Sequence, residues 1–177
     1  MKKILFSGVL LVGMLAFFAF STPNPEPMEE TIQWMTWDEA IEANKENPKK
    51  IFVDMYTDWC GWCKKMDATT FKEKEVVKFM NEHFYAVKFN AEQKEDVIFD
   101  DHTFKFVASG RRGYHELAAA LLDGRLSYPS FVYLDEEHRR ITISPGFKQS
   151  SQMITELKFI GEDHYKTTDF QSFASGK

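Results

Sequence analysis

Only two of the 177 residues are cysteine, Cys60 and Cys63, and that scarcity excludes a good deal. A lone pair cannot belong to a multi-bridge disulfide framework or to a four-cysteine zinc site. The five histidines, His83, His102, His115, His138 and His164, show no metal-ligand spacing. Each therefore reads as a surface or satisfied core residue. Excess positive charge is absent too: 22 Lys and Arg stand against 27 Asp and Glu, for a net charge of −5. Nonspecific binding to nucleic acid is not expected from that balance. The sequence holds no internal repeat and no second domain.

What is present is ample core material, with seventeen phenylalanines and four tryptophans in a length suited to one domain. Lys2 and Lys3 precede a nearly unbroken apolar run from Ile4 to Phe20, with Ala19 and Ser21 at its end. That is the layout of a secretory signal peptide over residues 1–21, with cleavage after Ser21. No cysteine follows the run, so a lipoprotein anchor is excluded. An uncleaved N-terminal membrane anchor is the alternative, because the run approaches spanning length. Both readings put the folded part outside the cytoplasm, with the bacterial periplasm as the expected location. Residues 22–29, rich in proline, read as an extended linker. The domain is expected over 30–165, followed by a flexible tail over 166–177.

Thr36-Trp37-Asp38-Glu39 is a capping box that opens a helix, and Asn47-Pro48 closes it. Ile51 to Thr57 reads as a strand, interrupted by the acid Asp54. A helix follows from Gly61, restarts near Thr69-Thr70 and continues through Met80; Phe84 to Asn90 is the next strand. From Ala91 to Gly113 the pattern is weak, with Gly110 to Gly113 as a turn, and a short helix covers His115 to Leu122. Ser130 to Asp135 and Arg140 to Ser144 form a hairpin, and a last helix carries Met153, Ile154, Leu157 and Ile160. This order predicts an α/β fold: a central mixed sheet with helices on both faces and an insertion over 91–127.

Cys60 follows a strand and precedes a helix, where unpaired N–H groups and the helix dipole stabilise a thiolate. Cys63 lies one turn on and is expected to be more buried. The outer thiol can attack a disulfide and the inner one resolve it. Asp54, an acid in an apolar strand, is either a buried group with a raised pKa or a solvent-facing one, and its apolar neighbours leave that open. The segment Val53-Asp54-Met55-Tyr56-Thr57-Asp58-Trp59-Cys60-Gly61-Trp62-Cys63-Lys64 resembles the active-site segment of the thioredoxin superfamily. Lys88 falls where that family places a lysine beside the buried acid. Tyr128-Pro129-Ser130 resembles its cis-proline loop.

The resemblance covers about Glu30 to Ile160 and departs at two points: Gly61-Trp62 replaces the usual Gly-Pro, and the span from Asn90 to Pro129 is longer. It implies a thiol–disulfide oxidoreductase, with Cys60, Cys63, Asp54 and Lys88 as catalytic residues. Trp59, Gly61, Trp62, Tyr128 and Pro129 would line the substrate groove. No cofactor is expected beyond a redox-active Cys60–Cys63 disulfide. The partners implied are proteins with disulfides or thiols and a membrane thiol electron donor. A reductase is favoured over an oxidant or isomerase. A partner-binding module with little turnover and a copper(I) carrier using the two thiols stay open as alternatives.

Overall fold

In the computed structural model, which describes residues 31–176, the first residues after the N-terminal stretch form a short strand, β1 (Trp34–Met35). The signal peptide and linker expected over 1–29 lie outside the described residues. Helix α1 (Trp37–Glu46) starts at the anticipated capping box, in which Thr36 and Glu39 bond each other's backbone N–H. Strand β2 (Lys50–Tyr56) leads through Trp59 into α2 (Gly61–Ala68). A 3-10 turn at Thr70–Lys72 separates α2 from α3 (Lys74–His83), which places the helix restart where the paired threonines suggested it. Strand β3 (Phe84–Asn90) follows directly.

The central sheet has the order β1-β3-β2-β8-β9, where β8 is Ser130–Leu134 and β9 is Arg140–Pro145. β2 runs parallel to β3 and antiparallel to β8. Helix α5 (Ser150–Gly161) closes the fold. This is the mixed α/β sheet expected, with β1 added at one edge.

Two apolar clusters explain why β2 shows no clean alternation. Phe52, Phe131 and Tyr133 face the side covered by Met66 of α2, Val76 and Met80 of α3 and Leu157 of α5. Ile51, Val53 and Met55 face Trp37 and Ala40 of α1. A strand buried on both faces reads as a continuous apolar run. The Phe52 and Phe131 rings stack at 5.4 Å, joining β2 to β8 inside the first cluster.

Two segments differ from expectation. In the 91–127 insertion the stretch before the expected helix is two β-hairpins rather than irregular chain. The hairpins are β4 (Val97–Phe99) with β5 (His102–Phe104), and β6 (Phe106–Ser109) with β7 (Arg112–His115). Helix α4 (Glu116–Leu121) then lays Leu117 and Ala118 into the second cluster. Strands of three or four residues that mix exposed, half-buried and buried positions give no readable alternation. Residues 166–177, expected as a flexible tail, contain helix α6 (Phe170–Ala174). Phe170 and Phe173 each lie 5.3 Å from the Phe159 ring, and Asp169 caps the helix. Two aromatics three residues apart were enough to dock it on α5.

Candidate active site

Cys60 and Cys63 are joined in a disulfide. Cys60 is the N-cap of α2 and adopts extended backbone geometry, and its Sγ accepts the Cys63 N–H at 3.1 Å. The sulfur thus occupies the place that a serine or aspartate oxygen takes at other helix starts. A thiolate formed there would meet the same N–H and the positive end of α2. The expected difference in burial is not seen in the disulfide state: Cys60 is 4% exposed and Cys63 3%. What distinguishes the two sulfurs is the helix cap.

Asp54 belongs to the same face of β2 as Phe52, the face that α2 covers, so the question left open by its neighbours is settled by strand parity. It is buried, and one register step across the sheet stands Lys88 of β3. Lys88 Nζ donates to Asp54 Oδ2 at 2.7 Å and also to Asp67 Oδ1 on α2. The ammonium lies over the rings of Trp34, Tyr56 and Phe71 at 4.9, 5.2 and 5.4 Å. Asp54 Oδ1 is buried with no hydrogen-bond partner. Burial pushes the Asp54 carboxyl up to about 6, against the pull of Lys88. Burial also lowers the Lys88 ammonium, but Asp54 and Asp67 outweigh it and leave its pKa raised.

Around the disulfide stands an aromatic rim. Trp59 is 50% exposed and Trp62 56%. Trp59 Nε1 donates to Glu92 at 2.9 Å, and its ring meets Tyr128 edge-on at 6.0 Å. Trp62 lies 5.1 Å from Phe147, with Lys65 Nζ 5.1 Å from the Trp62 centroid. The Tyr128–Pro129 peptide is cis, and the buried Pro129 accepts the Gly146 N–H through its carbonyl at 2.8 Å. Gly61 is open on its side-chain face, with nothing within 4 Å of a built Cβ. Sterics therefore do not demand glycine between the cysteines.

Of the residues singled out in the sequence, Asp54 and Lys88 pair across β2 and β3, Cys60 and Cys63 open the helix that follows β2, and Trp59 meets Tyr128 of the cis peptide. Sequence reasoning missed Asp67, Glu92, Arg112 and Phe147. Of these only Asp67 carried a local signal, as an acid one helical turn after Cys63. His115 is fully buried, caps α4 through Nδ1 and bonds the Glu95 carbonyl through Nε2 at 3.1 Å. It is a satisfied core histidine. Among the described residues no group of three His, Cys, Asp or Glu is placed to hold a metal ion.

A mixed sheet with a disulfide at the start of α2 and a cis-proline at the adjoining strand defines the thioredoxin fold. Solved structures agree. A thioredoxin-fold protein from Helicobacter pylori superposes with a TM-score of 0.59 at 18% identity, covering 84% of this chain and 92% of that one. A DsbH oxidoreductase superposes with a TM-score of 0.53 at 20% identity, covering 92% and 96%. Within that fold, residues 25–166 match the family Thioredox_DsbH, described as "Protein of unknown function, DUF255", and the chain belongs to it. The disulfide bond reductase DsbH of Chlamydia pneumoniae is 29% identical over 97 residues, which is 50% of this chain and 58% of that protein. An uncharacterized Caenorhabditis elegans protein, B0495.5, is 32% identical over 84 residues, 47% of this chain. That stretch spans 12% of B0495.5, and a separate match of 67 residues at 31% identity, 37% of this chain, spans 8% of the mouse spermatogenesis-associated protein 20.

Proposed function

We propose that the protein is an extracytoplasmic thiol–disulfide oxidoreductase that reduces disulfides in other proteins. The observation that carries this reading is the Cys60 sulfur at the N-cap of α2, bonded by the Cys63 N–H. The similarity to the Chlamydia pneumoniae disulfide bond reductase DsbH supports the same direction. The apolar run before residue 21 supports export.

In the reduced protein the Cys60 thiolate attacks one sulfur of a substrate disulfide. An S–S bond forms between Cys60 and that sulfur, and the other substrate sulfur leaves as a thiolate. Cys63, losing its proton, attacks Cys60 Sγ and releases the second substrate thiolate. The substrate gains two electrons as two thiolates, which take up the proton given up by Cys63 and one more from water, and the protein is left as the Cys60–Cys63 disulfide. Asp54, buried with a pKa near 6 and one unbonded oxygen, is suited to take the Cys63 proton near neutral pH. Lys88 holds Asp54 in place and stabilises its ionised form. Pro129 and the two tryptophans would frame an extended substrate segment across the disulfide. A dithiol donor, in this location a membrane thiol protein, returns the two electrons.

Insulin-disulfide reduction by dithiothreitol tests the reading: the wild type accelerates it and Cys60→Ser returns it to the uncatalysed rate. Full activity in Cys60→Ser overturns the proposal. Equilibration with glutathione then fixes the direction, and a midpoint above about −150 mV would mark an oxidant instead.

A further inference from the structure

The 91–127 insertion reaches the edge of the disulfide site at one side chain, Trp59. The hairpin β6–β7 is shaped for that reach. A Cβ at Gly113 would sit 2.1 Å from the Phe106 ring and 2.4 Å from the Val107 carbonyl, so only glycine lets the two strands close there. The turn between Ser109 and Arg112 has two residues and begins with Gly110 at a φ of 57°. Arg112, the first residue of β7, places its guanidinium carbon 4.1 Å from the centroid of the Trp59 ring. Glu92, from the start of the insertion, holds the indole N–H. The insertion thus fixes one wall of the site and lays a cation on it.

That cation has no carboxylate partner. Among the described residues Arg111, Arg112, Lys64 and Lys65 form no ion pair, although the chain as a whole is acidic. The two acids on the Trp59 side are already engaged. Glu92 accepts from the indole, and Asp58 accepts from the Asn90 amide at 3.3 Å. A guanidinium held over an aromatic ring, with no ion pair of its own, keeps N–H donors free for a carboxylate.

We infer that Arg112, stacked on Trp59 beside the disulfide, is a specificity-determining residue that selects substrate segments carrying a carboxylate next to the reacting cysteine. The inference rests on the thiol-exchange reading of the site. Because Arg112 is exposed, its preference is modest and screened by salt.

The test uses three peptides, each with one internal disulfide and differing only in Asp, Asn or Lys beside the cysteines. Their reduction by the reduced protein is timed and divided by their reduction by dithiothreitol. The wild type should favour the Asp peptide over the Asn peptide by about threefold at low ionic strength, in line with a single exposed ion pair. The ratio should approach one at high salt and in Arg112→Gln. Lys78→Gln, an equal charge change on α3 outside the site, should keep it. A ratio that is the same in wild type and Arg112→Gln overturns the inference and leaves the thiol-exchange reading intact. So does an equal loss with all three peptides, which would make Arg112 a positioning residue for Trp59. If no peptide is reduced, the thiol-exchange reading fails and this inference falls with it.

Discussion

Charge is arranged in opposite ways behind and beside the Cys60–Cys63 disulfide. Behind it, Asp54 is buried with Lys88, and Asp67 closes the group from α2. Beside it, Arg112 and Lys65 lie on exposed tryptophans with no carboxylate partner. In a poorly solvated place a charge is expensive to hold, so it titrates near neutral pH and couples strongly to its neighbour. At the exposed rim water and salt screen the same charges, so they act on what approaches and little on the fold. On the proposed thiol-exchange reading, the inner group would move a proton and the outer group would choose a partner.

Lys88→Met should give the largest change, because it leaves the Asp54 carboxylate buried without its cation. A loss of about 2–4 kcal/mol in unfolding free energy is expected at pH 8. The loss should shrink at pH 4, where Asp54 carries a proton in the folded state. Urea unfolding at both pH values checks this, and an equal loss at both would mean that Lys88 matters only through its contacts with Trp34, Tyr56 and Phe71.

Asp54→Asn should act in the other direction. The folded carboxyl titrates at about 6 and the unfolded one at 3.8. Between those values the folded protein keeps a proton that the unfolded chain releases, so stability declines as pH rises from about 4 to 6. Below that window the acid has no effect, and above it the full penalty, about 3 kcal/mol, is present. Asparagine removes the decline, but Lys88 then keeps only Asp67. A net gain of about 1–2 kcal/mol is expected at pH 8 and none at pH 4. A stability curve that keeps its slope between pH 4 and 6 in this variant would show that another group sets it. Thiol exchange by the variant should slow, so a more stable protein would be the poorer catalyst.

The inner group was largely legible in the sequence and the outer one was not. An acid in an apolar strand, six residues before a cysteine pair, marks itself by composition alone. Its orientation was hidden because β2 is buried on both faces, so alternation carried no signal. The hairpin at Ser130 to Asp135 and Arg140 to Ser144 was visible because β8 is a solid apolar run and a polar turn follows it. Hairpins β4–β5 and β6–β7 are short and bury only Val97 and His115, and their pairing is a matter of turns and of Gly113. The contacts that complete the site are long-range: Lys88 meets Asp67 across 21 residues and Trp59 meets Glu92 across 33. No local pattern announces such pairs. Helix α6 escaped for a different reason, since five residues hold too few apolar positions to set a period.

The smallest effect should come from Glu92→Gln, which sharpens the contrast from the exposed side. Glu92 bonds Trp59 at 2.9 Å, a distance close to that between Lys88 and Asp54. If distance set energy, the two substitutions would cost alike. Glutamine keeps an oxygen that can accept the indole N–H and removes only the charge. Solvent reaches this pair, so the change in unfolding free energy should stay within about 0.5 kcal/mol and fade further in high salt. The same urea titrations, run at low and high ionic strength, measure it. A cost approaching that of Lys88→Met would mean that the Trp59 wall is as much a part of the fold as the buried group, and the division between proton transfer behind the disulfide and partner choice beside it would not hold.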